Sequence, residues 1–496
     1  MPTRPNIIIF NPDQWRGDVL GHMGNPAAMT PVLDGLVETE AVSFRNAFCQ
    51  NPVCTPSRCS FMTGWYPHCR GHRTMHHMLR RDEPVLLKTL KEDGYYVWWG
   101  GKNDLTPAQY GYDDYCHVKF EPCEKDFQRW GFEAKPDMHG WSDWRGEFGS
   151  DSFYSFCGGR LDKGANPVYG NGDWANVHGA CDVIRATPTQ PYCLYLPLQY
   201  PHPPYGVEDP WFSMIDRAAI PGQFLPAEED WAKKPSLLRG LRELQNLRGW
   251  TDERWRELRA TYYGMCARVD YQLGMIIQAL KDSGQYDNTA LFIFSDHGDF
   301  TGDYGLVEKT QNTFEDCLSR VPFIIKPPAD IPIQPRVTEA LVELIDFPAT
   351  VEALTGAAPR HTHFGRSLLP VLAGETDSHR DAVFCEGGRL HSEEHCSELA
   401  SDPALDPTGF YYCRLKLQVD GWPAHTKAAM CRTSEYKYIR RHDELDELYD
   451  LRADHGEICN VIDDPCYAGI LATLKERLLT WYQETCDVVP WDEDRR

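Results

Sequence analysis

NIIIFNPDQ (residues 6–14) runs through four consecutive apolar residues, Ile7 to Phe10, and then breaks into Asn-Pro-Asp-Gln. A run this short, β-branched and without polar alternation, fits a strand buried on both faces, as in a parallel sheet. Its carboxyl end carries an acid, Asp13, and an amide, Gln14. The same design returns far downstream in TALFIFSDHGD (289–299), where an apolar run opens into Asp296 and His297. Two further runs, YYVWW (95–99) and PYCLYL (191–196), lead into Lys102 and His202. Between them stand helical spacings: Leu33, Leu36 and Val37; the segment LLKTLKEDG with its Gly stop; and Val269, Leu273, Ile276 and Leu280, closed by Gly284. Strands alternating with helices describe an α/β fold, a large mixed, mostly parallel sheet flanked by helices. Reacting groups in such sheets gather beyond the carboxyl ends of the strands. Asp13, Lys102, His202 and Asp296 are therefore expected to meet at one rim.

The chain has 496 residues, 42% hydrophobic and 25% charged, as in ordinary soluble globular proteins. Its formal net charge of −23 and pI of about 5.2 argue against binding nucleic acid or an anionic membrane surface, which need a basic face. An anionic substrate would need a local island of Lys and Arg. The apolar run near the start is too short for a signal peptide, and no stretch approaches a membrane span. The expected location is the cytoplasm. The 18 cysteines are scattered, without paired CxxC spacing, so free thiols are expected rather than a disulfide framework or a structural zinc.

Residues 1–375 read as the catalytic α/β domain, with 113–190 as a loop-rich insertion containing KPDMHGWSDWRGEFGSDSFYSFCGG. From 376 to 496 the pattern changes to short strand-like pieces: DAVFCEGG, KLQVDGW, KAAMCRTSEYKYIRR and DELDELYDL. These describe a smaller α+β subdomain with an antiparallel sheet, ending in the amphipathic helix GILATLKERLLTWYQETC.

CTPSR (54–58) places Cys, Pro and Arg at alternate positions, with neither the His partner of a thiol nucleophile nor the second Cys of a zinc site beside it. CTPSR followed by CSFMTGWYPHCRG resembles the signature of the sulfatase family, an alkaline-phosphatase-like group. PNIIIFNPDQWRGD, GYYVWWGGKNDL, YPHPPY, LFIFSDHGDFTGDYGLVEK and RTSEYKYIRRHDELDELYDLRADHGEICNV resemble further family segments, in the family's order, from about residue 5 to 460. The resemblance implies that Cys54 is oxidised to formylglycine by a formylglycine-generating or anaerobic sulfatase-maturating enzyme that reads Pro56 and Arg58. Hydrated formylglycine can attack sulfur and later expel sulfate by collapsing to the aldehyde, a turnover that a thiolate lacks. The bland alternative is an unmodified buried thiol.

The resemblance further implies a divalent cation held by Asp13, Gln14, Asp296, His297 and the modified Cys54. Ca²⁺ is the first choice for such oxygen-rich ligation, with Mn²⁺ or Mg²⁺ as alternatives. Arg58, one helical turn after Cys54, is expected to turn back on the hydrate, with Lys102 and Lys309 on the sulfate or leaving oxygen. His202 is the expected general acid. Plainer roles exist for each: Asp296 as a strand-end cap, Lys309 as a surface charge, His202 as a loop ring stacked on tyrosine. Two departures stand out. Asp13-Gln14 and Asp296-His297 are similar to the phosphonate monoester hydrolase branch. Asp104 stands where the family's pattern carries a His, and either serves as the base or contacts the substrate, with His76 and His77 as further candidates beside the nucleophile. The expected substrate is a small anionic sulfate ester of a sugar or aryl-like alcohol. Phosphonate monoester or phosphodiester hydrolysis is the nearest alternative, and a non-catalytic binding protein is the reading of another class.

Overall fold

The computed structural model describes residues 4–131, 144–161 and 172–491. Its strands run β1 (Asn6–Asp13), β2 (Val42–Phe48), β3 (Tyr96–Gly100), β4 (Val118–Phe120), β5 (Cys157–Arg160), β6 (Tyr192–Pro201) and β7 (Tyr205–Val207). They continue as β8 (Thr289–Phe294), β9 (Phe323–Lys326), β10 (Arg336–Glu343), β11 (Val383–Gly387), β12 (Ala428–Arg432), β13 (Tyr436–Arg441) and β14 (Glu447–Asp450). One eight-stranded sheet has the order β10-β2-β9-β8-β1-β6-β3-β4. Only β9 is antiparallel to its neighbours; the remaining pairs are parallel.

The NIIIF run is β1, and every residue of it is buried. Because successive side chains point to opposite faces, its residues divide between two cores. Ile8 and Phe10 join Leu194, Leu291 and the long helix Asp252–Asp282 through Leu258, Val269, Leu273 and Ile276. Ile7 and Ile9 join Tyr195, Phe292 and the helix Cys54–Thr63 through Cys59, Phe61 and Met62. Each such side chain contributes about 1.5–3 kcal/mol by burial, which makes β1 a firm anchor for whatever its end carries. β8, β1, β6 and β3 are parallel neighbours, so Asp296, Asp13, His202 and Lys102 emerge along one edge. Gly101 makes the turn into Lys102. Its φ is +108°, and a Cβ there would meet the Pro197 carbonyl oxygen at 2.4 Å, the atom that accepts from the Lys102 amide at 3.0 Å.

A four-stranded antiparallel sheet, β11-β12-β13-β14, follows, and the helix Ala468–Thr485 packs Trp481 flat on Phe384 with ring centroids 4.6 Å apart. One sequence expectation needs correction. KLQVDGW is not a strand: it closes the helix Tyr412–Asp420, because Leu417 seats over Gly240 of the helix Ser236–Leu244, where no Cβ stands in the way. Within the span 113–190, the helix Gly172–Arg185 puts Val177, Ala180, Cys181 and Ile184 into the core beside the long helix. Gly179 and the acids Asp173 and Asp182 hid that spacing; residues 132–143 and 162–171 of the span lie outside the described residues. The long helix begins at Asp252, well before its apolar spacing becomes regular. Among the described residues no helix is long and apolar enough to cross a membrane.

Candidate active site

Cys54 is the first residue of the helix Cys54–Thr63, all of which is buried, and Val53 before it is still extended. Pro56 sits in the first turn, where a missing N–H costs least. One turn on, Arg58 folds back beneath Cys54. Its Nε donates to Asp296 Oδ2 at 2.9 Å, its Nη2 to Asp13 Oδ2 at 3.0 Å, and its Nη1 to Asn11 Oδ1 at 3.1 Å and the Tyr195 hydroxyl at 3.3 Å. The fork therefore clamps the ends of β1 and β8 together. The guanidinium thus holds the two acids that flank Cys54, each of which also accepts from a second donor: Asp13 from Lys102 at 2.7 Å and Asp296 from the Gln14 backbone amide at 3.1 Å.

The Cys54 thiol stands 3.2 Å from His297 Nε2, 3.6 Å from Asp13 Oδ1 and 3.6 Å from Lys102 Nζ. Burial, with Asp13 added, pushes its pKa far up, beyond what Lys102 and Lys309 offset, so the thiol stays protonated. Burial also works against the charge of Asp13, but Lys102 and Arg58 outweigh it and hold the carboxyl well below the usual range. His297 donates from Nδ1 to the Gly298 carbonyl at 2.9 Å, and burial lowers its pKa. Its Nε2 lone pair is thereby turned toward Cys54 and Asp13. One ligand atom each from Asp13, Cys54, Asp296 and His297 lies within 4.8 Å of the others. Two carboxylates and a neutral imidazole suit a hard divalent ion, so the residues fit the metal that the sequence implied.

Gln14 lies beside this group with φ 70°, its amide donating to Asp296 Oδ1 at 3.1 Å. Its Nε2 donates to Asp299 Oδ2 at 2.5 Å, which fixes Oε1 on the side of Lys309 Nζ, 2.7 Å away. Asp299 is itself held by the Tyr205 hydroxyl at 2.8 Å and the Thr301 amide and hydroxyl at 2.6 Å each; burial above all pushes its pKa up to about 6.

The cations close the other side. Lys102 Nζ reaches Asp13 Oδ2 at 2.7 Å and Asp104 Oδ2 at 2.9 Å. Lys309 is buried, not a surface charge, and donates to His202 Nε2 at 2.9 Å while His202 Nδ1 donates to the Pro203 carbonyl at 2.6 Å. Burial first, then Lys309, lowers the His202 pKa well below its usual value, so the free imidazole is neutral. His76 and His77 do not join the cluster. His76 is exposed and bonds Ser401 Oγ at 2.9 Å, and His77 bonds Thr74 Oγ1 at 2.7 Å, although the Thr55 hydroxyl keeps their segment beside the nucleophile helix through the Met75 carbonyl. Sequence reasoning missed Asn11, Tyr195 and Asp299, and also Glu308, Tyr411 and Arg414, which share a narrow pocket with Lys309. Asp299 was visible in SDHGD; Arg414 and Tyr411, more than a hundred positions further on, gave no local signal.

A parallel rim that gathers acids, a neutral imidazole, the buried cations Arg58 and Lys309 and the part-exposed Lys102 around one cysteine is suited to an anionic ester. The sulfatase family model matches residues 5–357, and the chain belongs to the sulfatase family, whose members are sulfuric ester hydrolases. The multifunctional alkaline phosphatase superfamily protein PehA of Trinickia caryophylli is 26% identical over 515 residues, covering 97% of this chain and 95% of its own. An arylsulfatase of Clostridium perfringens is 26% identical over 408 residues, covering 77% and 81%. The solved phosphonate monoester hydrolase of Agrobacterium radiobacter shares the fold with a TM-score of 0.75 at 24% identity, covering 97% and 96%.

Proposed function

We propose that the protein hydrolyses a small sulfate monoester, of a sugar or an aryl-like alcohol, with Cys54 first converted to formylglycine. The observation that carries this reading is the setting of Cys54. A thiol held protonated by burial and by Asp13 is a poor nucleophile, whereas an aldehyde hydrate on the same Cβ would offer oxygens to the same three partners. Cys54 is 1% exposed, so its conversion by a maturating enzyme would precede folding. The ion, Ca²⁺ first and Mn²⁺ or Mg²⁺ as alternatives, would be held by Asp13, Asp296, His297, the Gln14 side-chain oxygen and the modified Cys54; when bound it would polarise an oxygen ligand and offset anionic charge.

The remaining roles belong to the chain. Arg58 keeps Asp13 and Asp296 together, and Lys102 and Lys309 face the sulfate oxygens. His202 and Lys309 act as a pair that shares a proton for the leaving oxygen, since the imidazole alone does not carry one. Asp104 draws a proton from the nucleophile or from a substrate hydroxyl, with His76 and His77 at the rim. The scattered cysteines, without paired CxxC spacing, favour a reducing, cytoplasmic setting.

Protein from its native host should contain a Cys54 peptide lighter than the cysteine form and reactive toward a hydrazide, and should release the phenol from an aryl sulfate. Active material whose peptide holds only free thiol would sink this reading; free thiol without any activity would bring the binding-protein reading forward. Gln14, His297 and the likeness to the Agrobacterium radiobacter phosphonate monoester hydrolase favour a second reading, phosphonate monoester or phosphodiester hydrolysis by the same site. Catalytic efficiencies on an aryl sulfate and an aryl phosphonate monoester decide between them.

A further inference from the structure

Glu308 has a φ of 67°, in the left-handed region that side chains other than glycine enter at an energetic cost. The bend is held from both sides. The Glu308 amide donates to the Tyr205 phenol oxygen at 2.8 Å, and its carbonyl accepts from the Phe300 amide at 3.0 Å. As a result the carboxylate folds back over its own neighbour, Oε1 standing 3.0 Å from Lys309 Nζ. On its other side is Arg414 of the helix Tyr412–Asp420, whose Nη1 lies 3.4 and 3.3 Å from the two carboxylate oxygens. Arg414 Nε faces Glu398 Oε2 at 3.4 Å, and the guanidinium lies over the Tyr411 ring, 4.3 Å from its centroid. The side chains of Lys309, Glu308, Arg414 and Glu398 are only 2%, 5%, 8% and 0% exposed.

Two buried cations and two buried carboxylates are an expensive way to join two segments, since an apolar contact of similar volume would serve as well or better. Their order suggests a different purpose. Lys309 has three N–H donors, and they meet Gln14 Oε1, His202 Nε2 and Glu308 Oε1. Left alone with Glu308 in a dry site, Lys309 would form a closed pair with little pull on an anion. Arg414 competes for the same carboxylate, so part of the Lys309 charge stays uncompensated.

We propose that Glu308 and Arg414 are positioning residues for Lys309, through which the C-terminal segment sets how much of the lysine's charge reaches the substrate anion. The proposal rests on the reading above only in having Lys309 face that anion. Arg414→Met keeps the bulk and removes the competitor. In the full chain with its divalent ion, this variant should lose roughly ten- to a hundredfold in kcat/KM and in affinity for inorganic sulfate measured by calorimetry, the size of one charge-assisted hydrogen bond. Adding Glu308→Gln removes the surplus negative charge, so the double variant should recover much of both losses. A purely structural tie predicts the reverse, a double variant at least as impaired as the single one. Should Arg414→Met fail to fold, Arg414→Lys keeps the charge without the fork and should remain close to the wild type. A folded Arg414→Met with unchanged kcat/KM and sulfate affinity, a double variant no better than it, or an Arg414→Lys as impaired as a charge deletion overturns the proposal. If the wild type turns over no ester, the hydrolytic reading fails while the sulfate affinities still decide this one.

Discussion

Between Asp13 and Asp296 stands the Arg58 guanidinium, 3.0 and 2.8 Å from their carboxylates and fully buried with them. Removing one partner of such a group leaves an uncompensated charge in a dry interior, which typically costs about 3–5 kcal/mol. Arg58 is thus as much a condition for assembling the site as a participant in its chemistry. Asp104 is different in kind. It is 14% exposed on its side chain and pairs only with Lys102 among the described residues, which in turn holds Asp13 more closely. Asp104→Asn should therefore fold normally while losing roughly one charge-assisted interaction, about 1.5–3 kcal/mol of transition-state stabilisation, or ten- to a hundredfold in kcat/KM. Normal turnover and unchanged substrate preference would remove Asp104 from both of its proposed roles.

At the level of elements, the nucleophile segment is tied to the C-terminal sheet and helix through His68. Its Nδ1 meets Glu386 Oε1 of β11 at 2.6 Å and its Nε2 meets the Thr485 carbonyl at 2.9 Å, so both ring nitrogens face acceptors, as an imidazolium requires. Burial alone would lower its pKa; the Glu386 carboxylate more than offsets this, and the net effect lifts His68 to about 10 while Glu386 falls below its usual value. A folded-state pKa above the unfolded one contributes stability that is complete below about 6.5 and lost as pH rises through about 10. The amount is on the order of 3–5 kcal/mol. Urea midpoints between pH 6 and 10 should fall more steeply for the wild type than for His68→Gln; parallel curves would refute the linkage.

On the scale of the whole molecule, Asp13, Cys54 and the Asp296-His297 pair come from three separate stretches that meet only in the folded chain. An ion held by all of them binds the native state and not the unfolded one. At a hundredfold excess over its dissociation constant it would add about 2.7 kcal/mol to stability. Chelation should lower the thermal midpoint, and Ca²⁺ or Mn²⁺ should restore it. Asp296→Asn, which removes one carboxylate charge from the donor set, should respond less. A wild type whose midpoint ignores both chelator and ion would refute metal binding at this site.

The sequence by itself determined the frame. NIIIF and TALFIF are too apolar and too short to be anything but strands covered on both faces, and an acid at the end of each had to emerge at the sheet's edge. That is why Asp13, Lys102, His202 and Asp296 were legible before any coordinates. CTPSR was legible for a different reason, as a spacing with a known family behind it. The edge strand β10 and its neighbour β2 were not legible, because RVTEALVE and VSFRNAF mix polar with apolar residues and their partners lie far away in the chain. KLQVDGW misled because its alternation of Leu417 and Val419 with polar residues mimics a strand, while packing against Gly240 makes it a helix. Only the tertiary structure decided the charge arrangement of the site. Arg58 clamps the carboxylates, His202 is neutral under Lys309, and Arg414 reaches Glu308 from more than a hundred residues away, because desolvation and Coulomb terms depend on distances through space that no local pattern encodes.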